Sequence, residues 1–562
     1  MIPRRMHRLL IAGLPLAFLA MAFYLPVGRL FYDALRVEGR FSLEPVRSIL
    51  TDPYVLRVIG FTAKQALLST LLSVAIGLPW AYIFTRYRFP GRRLLRSLTI
   101  VPFVLPAITV AVGFILFFGN NGHLNRMLME LFGLPRPPLS VLYSLRGIVL
   151  AHAFYNAPLI TRLVHAQWET IDPAYEESAQ SLGAGRLRRF VGITLPSLMP
   201  GLMTGAALAF IFCFLSFPIV LALGGARFST VEVEIFTRFV VLFQEDSGAV
   251  LALVEIILSL LFTFGYLWLE GRFSRPVLSI VRHPTAHLFR RWTVGKVLLW
   301  LFISVSGVLF LGPIVSVVVD SFTRVWGGET MVTVHWYRTI LSPDYSALIG
   351  TSPLGAIGNS LRFALGAMVL AVSVGMPMAY VVARFRFRGR RLFDTLTMAS
   401  LGVSSVALGA ALLSAFLRPP LMLANGVVAI ILAHSILAYP FVVRAIVPVL
   451  EGLRRGPIEA ARTLGASPMR AFLDVELPLV RRAVLVGAVF AFAVSLGEMS
   501  ATILLAQPEW KTMPLVVNDL RAARSFGGAS AMSCLLMVAT SCAFLFIDRS
   551  GERVLGGGRW RK

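Results

Sequence analysis

The sequence predicts an all-α, polytopic membrane protein of about twelve transmembrane helices in two parallel six-helix repeats. Three observations carry that expectation. Of 562 residues, 57% are hydrophobic and only 14% are charged, with a mean hydropathy of +0.77. That is more apolar surface than packed soluble cores can hide, so lipid must be the solvent for much of the chain. Apolar runs near 20 residues recur along the whole length, and a long stretch of text is repeated in the second half.

The first run, 9–31, follows the basic start Met1-Ile-Pro-Arg-Arg-Met-His-Arg8. It is too long for a signal-peptide core and lacks a small-residue cleavage site, so a retained helix is expected. Runs at 59–84, 97–118, 145–166, 199–223 and 248–269 complete a first half over 1–269. A polar, basic segment, 270–296, forms a linker expected on the cytoplasmic side. Runs at 297–319, 357–383, 395–417, 426–448, 483–506 and 528–547 then fill a second half over 297–562.

The net charge of +25 would suggest nucleic acid in a soluble protein, so its distribution decides its meaning. With both termini placed in the cytoplasm, most of the 53 Lys and Arg fall in cytoplasmic segments, as the positive-inside rule requires. The densest clusters are Arg86, Arg88, Arg92, Arg93 and Arg96, then Arg384, Arg386, Arg388, Arg390 and Arg391. The charge is a topological signal, and no nucleic-acid partner is expected. Cys213, Cys534 and Cys542 lie in apolar stretches with no ligand spacing, which predicts neither a disulfide framework nor a metal site.

The segments GLPWAYIFTRYRFPGRRLL (77–95) and GMPMAYVVARFRFRGRRLF (375–393) agree at 11 of 19 positions. His152, Pro158 and Arg162 recur as His434, Pro440 and Arg444, the changed offset being absorbed by the longer outer loop 119–143. An even number of spans separates the copies, so they share one orientation about an axis along the membrane normal. Such a pair implies a pathway at the interface between halves and favours a transporter over a membrane enzyme or receptor.

Two loops carry the most specific pattern. Between spans four and five, in 169–198, stands Glu177-Ser-Ala-Gln-Ser-Leu-Gly183, followed after nine residues by Ile193-Thr-Leu-Pro196. In 451–482 stands Glu459-Ala-Ala-Arg-Thr-Leu-Gly465, followed after nine residues by Val475-Glu-Leu-Pro478. The spacing predicts short helices over 171–182 and 455–464, each ended by a glycine able to turn left-handed, as helix-turn-helix units on the cytoplasmic surface. An ordinary solvated loop is the bland alternative, and duplication with fixed spacing argues against it.

This pattern resembles the EAA motif of permease subunits in binding-protein-dependent ABC importers. The resemblance spans nearly the whole chain, with Ser178 departing from the middle Ala. It implies that Glu177, Ala179 and Gly183, and equally Glu459, Ala461 and Gly465, couple the permease to a separate ATPase present in two copies. It further implies a periplasmic or lipid-anchored substrate-binding protein, contact with membrane lipid, and residence in a prokaryotic inner membrane. No GxxxxGK[ST] phosphate loop occurs, so ATP hydrolysis is expected of another chain and not of this one.

Within the membrane, Glu498 in Ser495-Leu-Gly-Glu-Met is expected inside span eleven, with Ser216 as its repeat counterpart. It either lines a substrate path or joins helices by hydrogen bonding. His152 and His434 read as buried structural groups. Arg162, Arg444, Lys64 and Arg362 read as helix-end anchors that snorkel, and Phe210, Phe212, Phe214 and Phe217 as lipid or helix contacts. No catalytic constellation and no cofactor are expected.

The stretches Arg88-Phe-Pro-Gly-Arg92, GIVLAHAFYNAPLITRLV (147–164) and FCFLSFPIVLALGGARFSTVEVEIF (212–236) resemble the thiamine permeases of that family. Ser-Leu-Gly-Glu in the second half also resembles its fused ferric-iron permeases. The resemblance thus implies thiamine as substrate, with ferric iron as the alternative.

Overall fold

A computed structural model of the chain describes residues 4–555 apart from 38, 93–94, 97–104, 226, 274–285, 288–292, 328, 343–349, 386, 417–425 and 454–455. The linker 270–296 and the start of the expected third span lie largely outside the described residues. Among the described residues, eleven helices are long and apolar enough to cross a membrane, and a bent pair makes twelve if it counts as one span. Strands among the described residues are three short two-stranded pairs.

Spans one to six are Ala12–Ala34, Pro53–Arg86, Ala107–Phe132, Leu145–Trp168, Arg186–Phe214 and Glu245–Gly265. Spans seven and eight are Val294–Ser321 and Pro353–Arg384. Span nine is the pair Leu392–Gly402 and Ser405–Phe416, bent by 97°, where the sequence suggested one straight run. Gly426–Gly452, Pro468–Gly497 and Phe526–Leu545 complete the set. Spans two and eight begin alike. Asp52 accepts a hydrogen bond from the Tyr54 N–H (2.8 Å) and Ser352 from the Gly355 N–H (3.3 Å), each just before a proline that needs no donor partner there.

The chain condenses into two compact units. One comprises 48–234 and 257–334, the other 1–47, 235–256 and 335–562. Span seven therefore belongs to the unit built mainly from the first half, and span one to the unit built mainly from the second.

In the first-half unit, spans two, four and five pack around glycines. A Cβ on Gly77 would stand 2.7 Å from Ile160 Cβ, and one on Gly205 3.1 Å from Ile160 Cδ1. Close backbone approach of this kind is how helices associate where lipid removes the hydrophobic drive. Span seven packs alongside: Ile303 joins Trp80, Ile83 and Phe84 in one cluster, and Gly312 leaves room for the Phe117 ring.

The second-half unit repeats the arrangement at equivalent positions. Gly375 and Gly487 both face Val442, their added Cβ atoms falling 3.1 Å from its side chain and backbone. Span one supplies Ala12 and Leu16 to a cluster with Val381, Val382 and Phe393, and the Tyr24 hydroxyl donates to the Leu396 carbonyl at 2.7 Å.

Candidate functional site

The duplicated loops fold alike. In the first, Asp172 accepts from the Ala174 N–H (2.9 Å), Pro173 opens the helix Pro173–Ser181, and Gly183 takes φ +81°. The Ala184 N–H then closes onto the Ala179 carbonyl at 3.0 Å. In the second, the helix Gly456–Thr463 ends at Gly465 with φ +88°, and the Ala466 N–H closes onto the Ala461 carbonyl at 3.0 Å. This six-to-one bond with a left-handed glycine is a Schellman ending, so Gly183 and Gly465 serve backbone geometry that a Cβ would strain. Ala179 and Ala461 supply the carbonyls that seal the turn.

Each loop re-enters the membrane through a matching irregularity. Phe190–Thr194 and Phe472–Glu476 are π-turns, in which the Leu195 and Leu477 N–H groups reach back to the Phe190 and Phe472 carbonyls. Pro196 and Pro478 follow directly and cannot donate to the carbonyl four residues before them, so the wider turn falls where the α-helical ladder is already broken.

The two loops expose the same kind of surface. Glu177 and Glu459 are exposed at equivalent positions. Beside them Leu182 is 88% exposed and Leu464 89%, which leaves two large apolar side chains almost wholly in water, an unfavourable placement. Leu187 and Met469, then Val191 and Leu473, are further equivalent pairs of exposed apolar side chains. A duplicated apolar patch beside a carboxylate fits docking onto another protein.

The sequence reading missed what anchors these loops. Arg86, at the end of span two, pairs with Glu176, whose other oxygen accepts from the Thr194 hydroxyl at 2.7 Å. Arg384, at the equivalent end of span eight, pairs with Glu476 at 2.6 Å. Glu476 occupies the repeat position of Thr194, so the acid has moved from the loop helix to the π-turn while the arginine has stayed. The signal available in the sequence was the recurrence of Arg86 as Arg384 inside the repeated text.

Deeper in the membrane, spans five and eleven are broken rather than continuous to 223 and 506. Span five ends at Phe214 and resumes as Pro218–Leu223; span eleven ends at Gly497 and resumes as Thr502–Leu505. Ser216 and Glu498 lie in these breaks, one in each unit. Glu498 is extended, and its Oε1 accepts from the Ala501 N–H at 2.8 Å, closing the turn that leads into the short helix. His434 staples the break, meeting the Ser495 hydroxyl at 2.7 Å and the Thr502 hydroxyl at 2.8 Å. His152 likewise contacts Ser216 at 2.8 Å and Ser69 at 3.3 Å. Both imidazoles are buried.

A second buried acid, Glu255 in span six, accepts from the Ser404 hydroxyl at 2.8 Å, in the bend of span nine. It is the lone carboxylate in the apolar text LALVEIILSL, a signal that was legible and passed over. Among the described residues, no group of three or more His, Cys, Asp and Glu side chains could hold a metal ion.

Comparison with known proteins adds to this geometry. Residues 73–275 and 371–556 each match the family described as binding-protein-dependent transport system inner membrane component. A thiamine transport system permease protein of Brucella abortus is 30% identical over 548 residues, covering 96% of this chain and 94% of its own length. Its counterpart in Salmonella typhimurium is 28% identical, over 89% of each chain. A ferric transport system permease protein of Actinobacillus pleuropneumoniae is 26% identical, over 92% of this chain and 74% of its own.

Proposed function

Since the chain belongs to the family of binding-protein-dependent transport system inner membrane components, we propose that it is a fused permease importing thiamine and that its two loops dock two copies of the ATPase. The observation that carries this reading is the duplicated loop, where exposed Leu182 and Leu464 flank Glu177 and Glu459 at equivalent positions. The halves 1–269 and 297–562 each supply one docking loop, 169–198 and 451–482. Both termini and the arginine-rich span ends face the cytoplasm, in keeping with the positive-inside distribution. The loaded binding protein, soluble or lipid-anchored, meets the opposite face.

The clamps give the docking loops a mechanical path. Movement of the helix Pro173–Ser181 acts on span two through Glu176 and Arg86 and on span five through Thr194. The break stapled by His434 and closed by Glu498 gives span eleven a place to bend without melting its helix. Glu498 lines the path for a cationic substrate, with Ser216 at the equivalent break.

The two relatives that carry thiamine in their names support thiamine over ferric iron, the ferric permease being less similar and matching over a smaller share of its length. Uptake of radiolabelled thiamine into proteoliposomes containing the whole importer tests the assignment. Thiamine-stimulated, ATP-dependent accumulation is expected. Accumulation of ferric iron with none of thiamine would transfer the substrate to the ferric reading while leaving the permease intact.

A further inference from the structure

Beside the first docking helix lies a cavity of about 860 Å³ lined both by membrane-span residues and by the loop. Leu78, Pro79 and Tyr82 of span two, with Trp168 of span four, supply the span side of the lining. At 1.5 Å rise per residue, Pro79 lies roughly 10 Å inside the Arg86 end of its helix, at membrane depth. The loop side of the wall carries Arg186 and Arg189, with the carboxylates of Glu176 and Glu177 on the same lining, so three arginines face two acids. Arg189 donates to Gln180 Oε1 at 2.5 Å, while its Nε is buried with no hydrogen-bond partner. A buried guanidinium donor left unmet is costly, so this side is suited to an acceptor oxygen. Arg86, also on the wall, is neutralised by Glu176.

The repeat supplies an internal control. The second half keeps Pro377, Tyr380 and Phe472 where the first has Pro79, Tyr82 and Phe190, and its loop folds the same way. It has Leu450, Pro468 and Ala471 in place of Trp168, Arg186 and Arg189, and Ala471 is buried. The aromatic ring and the two arginines are therefore not needed to build the loop.

We propose that this cavity binds an anionic phospholipid, its phosphate on Arg186 and Arg189 and the start of its acyl chains along Leu78, Pro79 and Tyr82. An occupant must be apolar at membrane depth and anionic at the arginine-rich face. A phospholipid has both parts; a free phosphate has only the second. Tyr82, half-buried on this wall, packs on the buried Trp168 ring with centroids 5.7 Å apart, so the apolar end has a firm backing. A lipid seated there packs against the docking helix from within the membrane.

The test purifies the intact importer from bacterial membranes, washes it in detergent and measures retained lipid by mass spectrometry. The wild type should retain phosphatidylglycerol in preference to phosphatidylethanolamine. R186Q/R189Q should lower that preference about twenty-fivefold, at about fivefold per basic residue near the headgroup. Leu78→Trp, which fills the apolar end and keeps the charges, should lower total retained lipid. If a variant does not fold, competition on the wild type decides: added phosphatidylglycerol should displace the retained lipid and inorganic phosphate should not. Equal retention in wild type and folded variants, no preference for phosphatidylglycerol in the wild type, or displacement by inorganic phosphate alone would overturn the proposal.

Discussion

Removing the Glu476 carboxylate should cost the protein more than removing that of Glu176, although both acids pair with the same repeated arginine. The Arg384 and Glu476 side chains are 12% and 3% exposed, and their atoms approach to 2.6 Å. Those of Arg86 and Glu176 are 19% and 18% exposed. Breaking a buried pair strands a charge, which typically costs about 3–5 kcal/mol. A pair that water partly reaches is screened, and Glu176→Ala should cost about 1–2 kcal/mol, chiefly through its hydrogen bonds. Denaturant unfolding of the purified permease in mild detergent measures both. Arg384→Ala and the double variant Arg384→Ala/Glu476→Ala close a thermodynamic cycle, in which the double change should cost at least about 1 kcal/mol less than the sum of the single ones. Equal losses for Glu176→Ala and Glu476→Ala, or an additive cycle, would refute the reasoning from burial.

Three further outcomes follow from the geometry. Changing Glu177 and Glu459 together to Ala should abolish uptake while the permease still inserts and folds, since both side chains are exposed; normal uptake in the double variant would end the docking assignment. Single cysteines at exposed Asn121 and Ser352, in a background without Cys213, Cys534 and Cys542, should react with an impermeant thiol reagent from outside intact cells; reaction only after permeabilisation would reverse the topology. Glu498→Gln keeps a carbonyl oxygen for the Ala501 N–H and removes the charge, so thiamine uptake should fall while the yield of folded complex holds; wild-type uptake would leave Glu498 a purely structural group.

How much of this could be read in advance depends on whether a feature is local. The spans were legible because lipid imposes a length and a composition that hydropathy measures directly. The turns at Gly183 and Gly465 were legible because a left-handed ending has a residue signature. The break at Glu498 was not, since the apolar text runs on past it and only the His434 staple, 61 residues away from Ser495, marks the place. The clamps were not legible either. Arg86 and Glu176 are 90 residues apart, and in the second half the acid sits at a position that does not correspond to Glu176. Pairing across the fold leaves no periodic trace when its two copies are solved with different residues.

That difference between the copies bears on how, under the docking proposed above, ATPase movement would reach the two halves. In the first half, Arg86 grips the docking helix itself, so displacement of that helix acts on span two at once and on span five through Thr194. In the second half, Arg384 grips Glu476 in the π-turn that leads into span eleven, while the docking helix Gly456–Thr463 carries Ile458 where the first carries Glu176. Displacement there enters span eleven first and reaches span eight through it. Span eleven is also the helix whose break holds Glu498. Under the proposed docking of two ATPase copies, the two loops share one backbone design, yet in the second half the first span to receive the motion would be the one that carries Glu498.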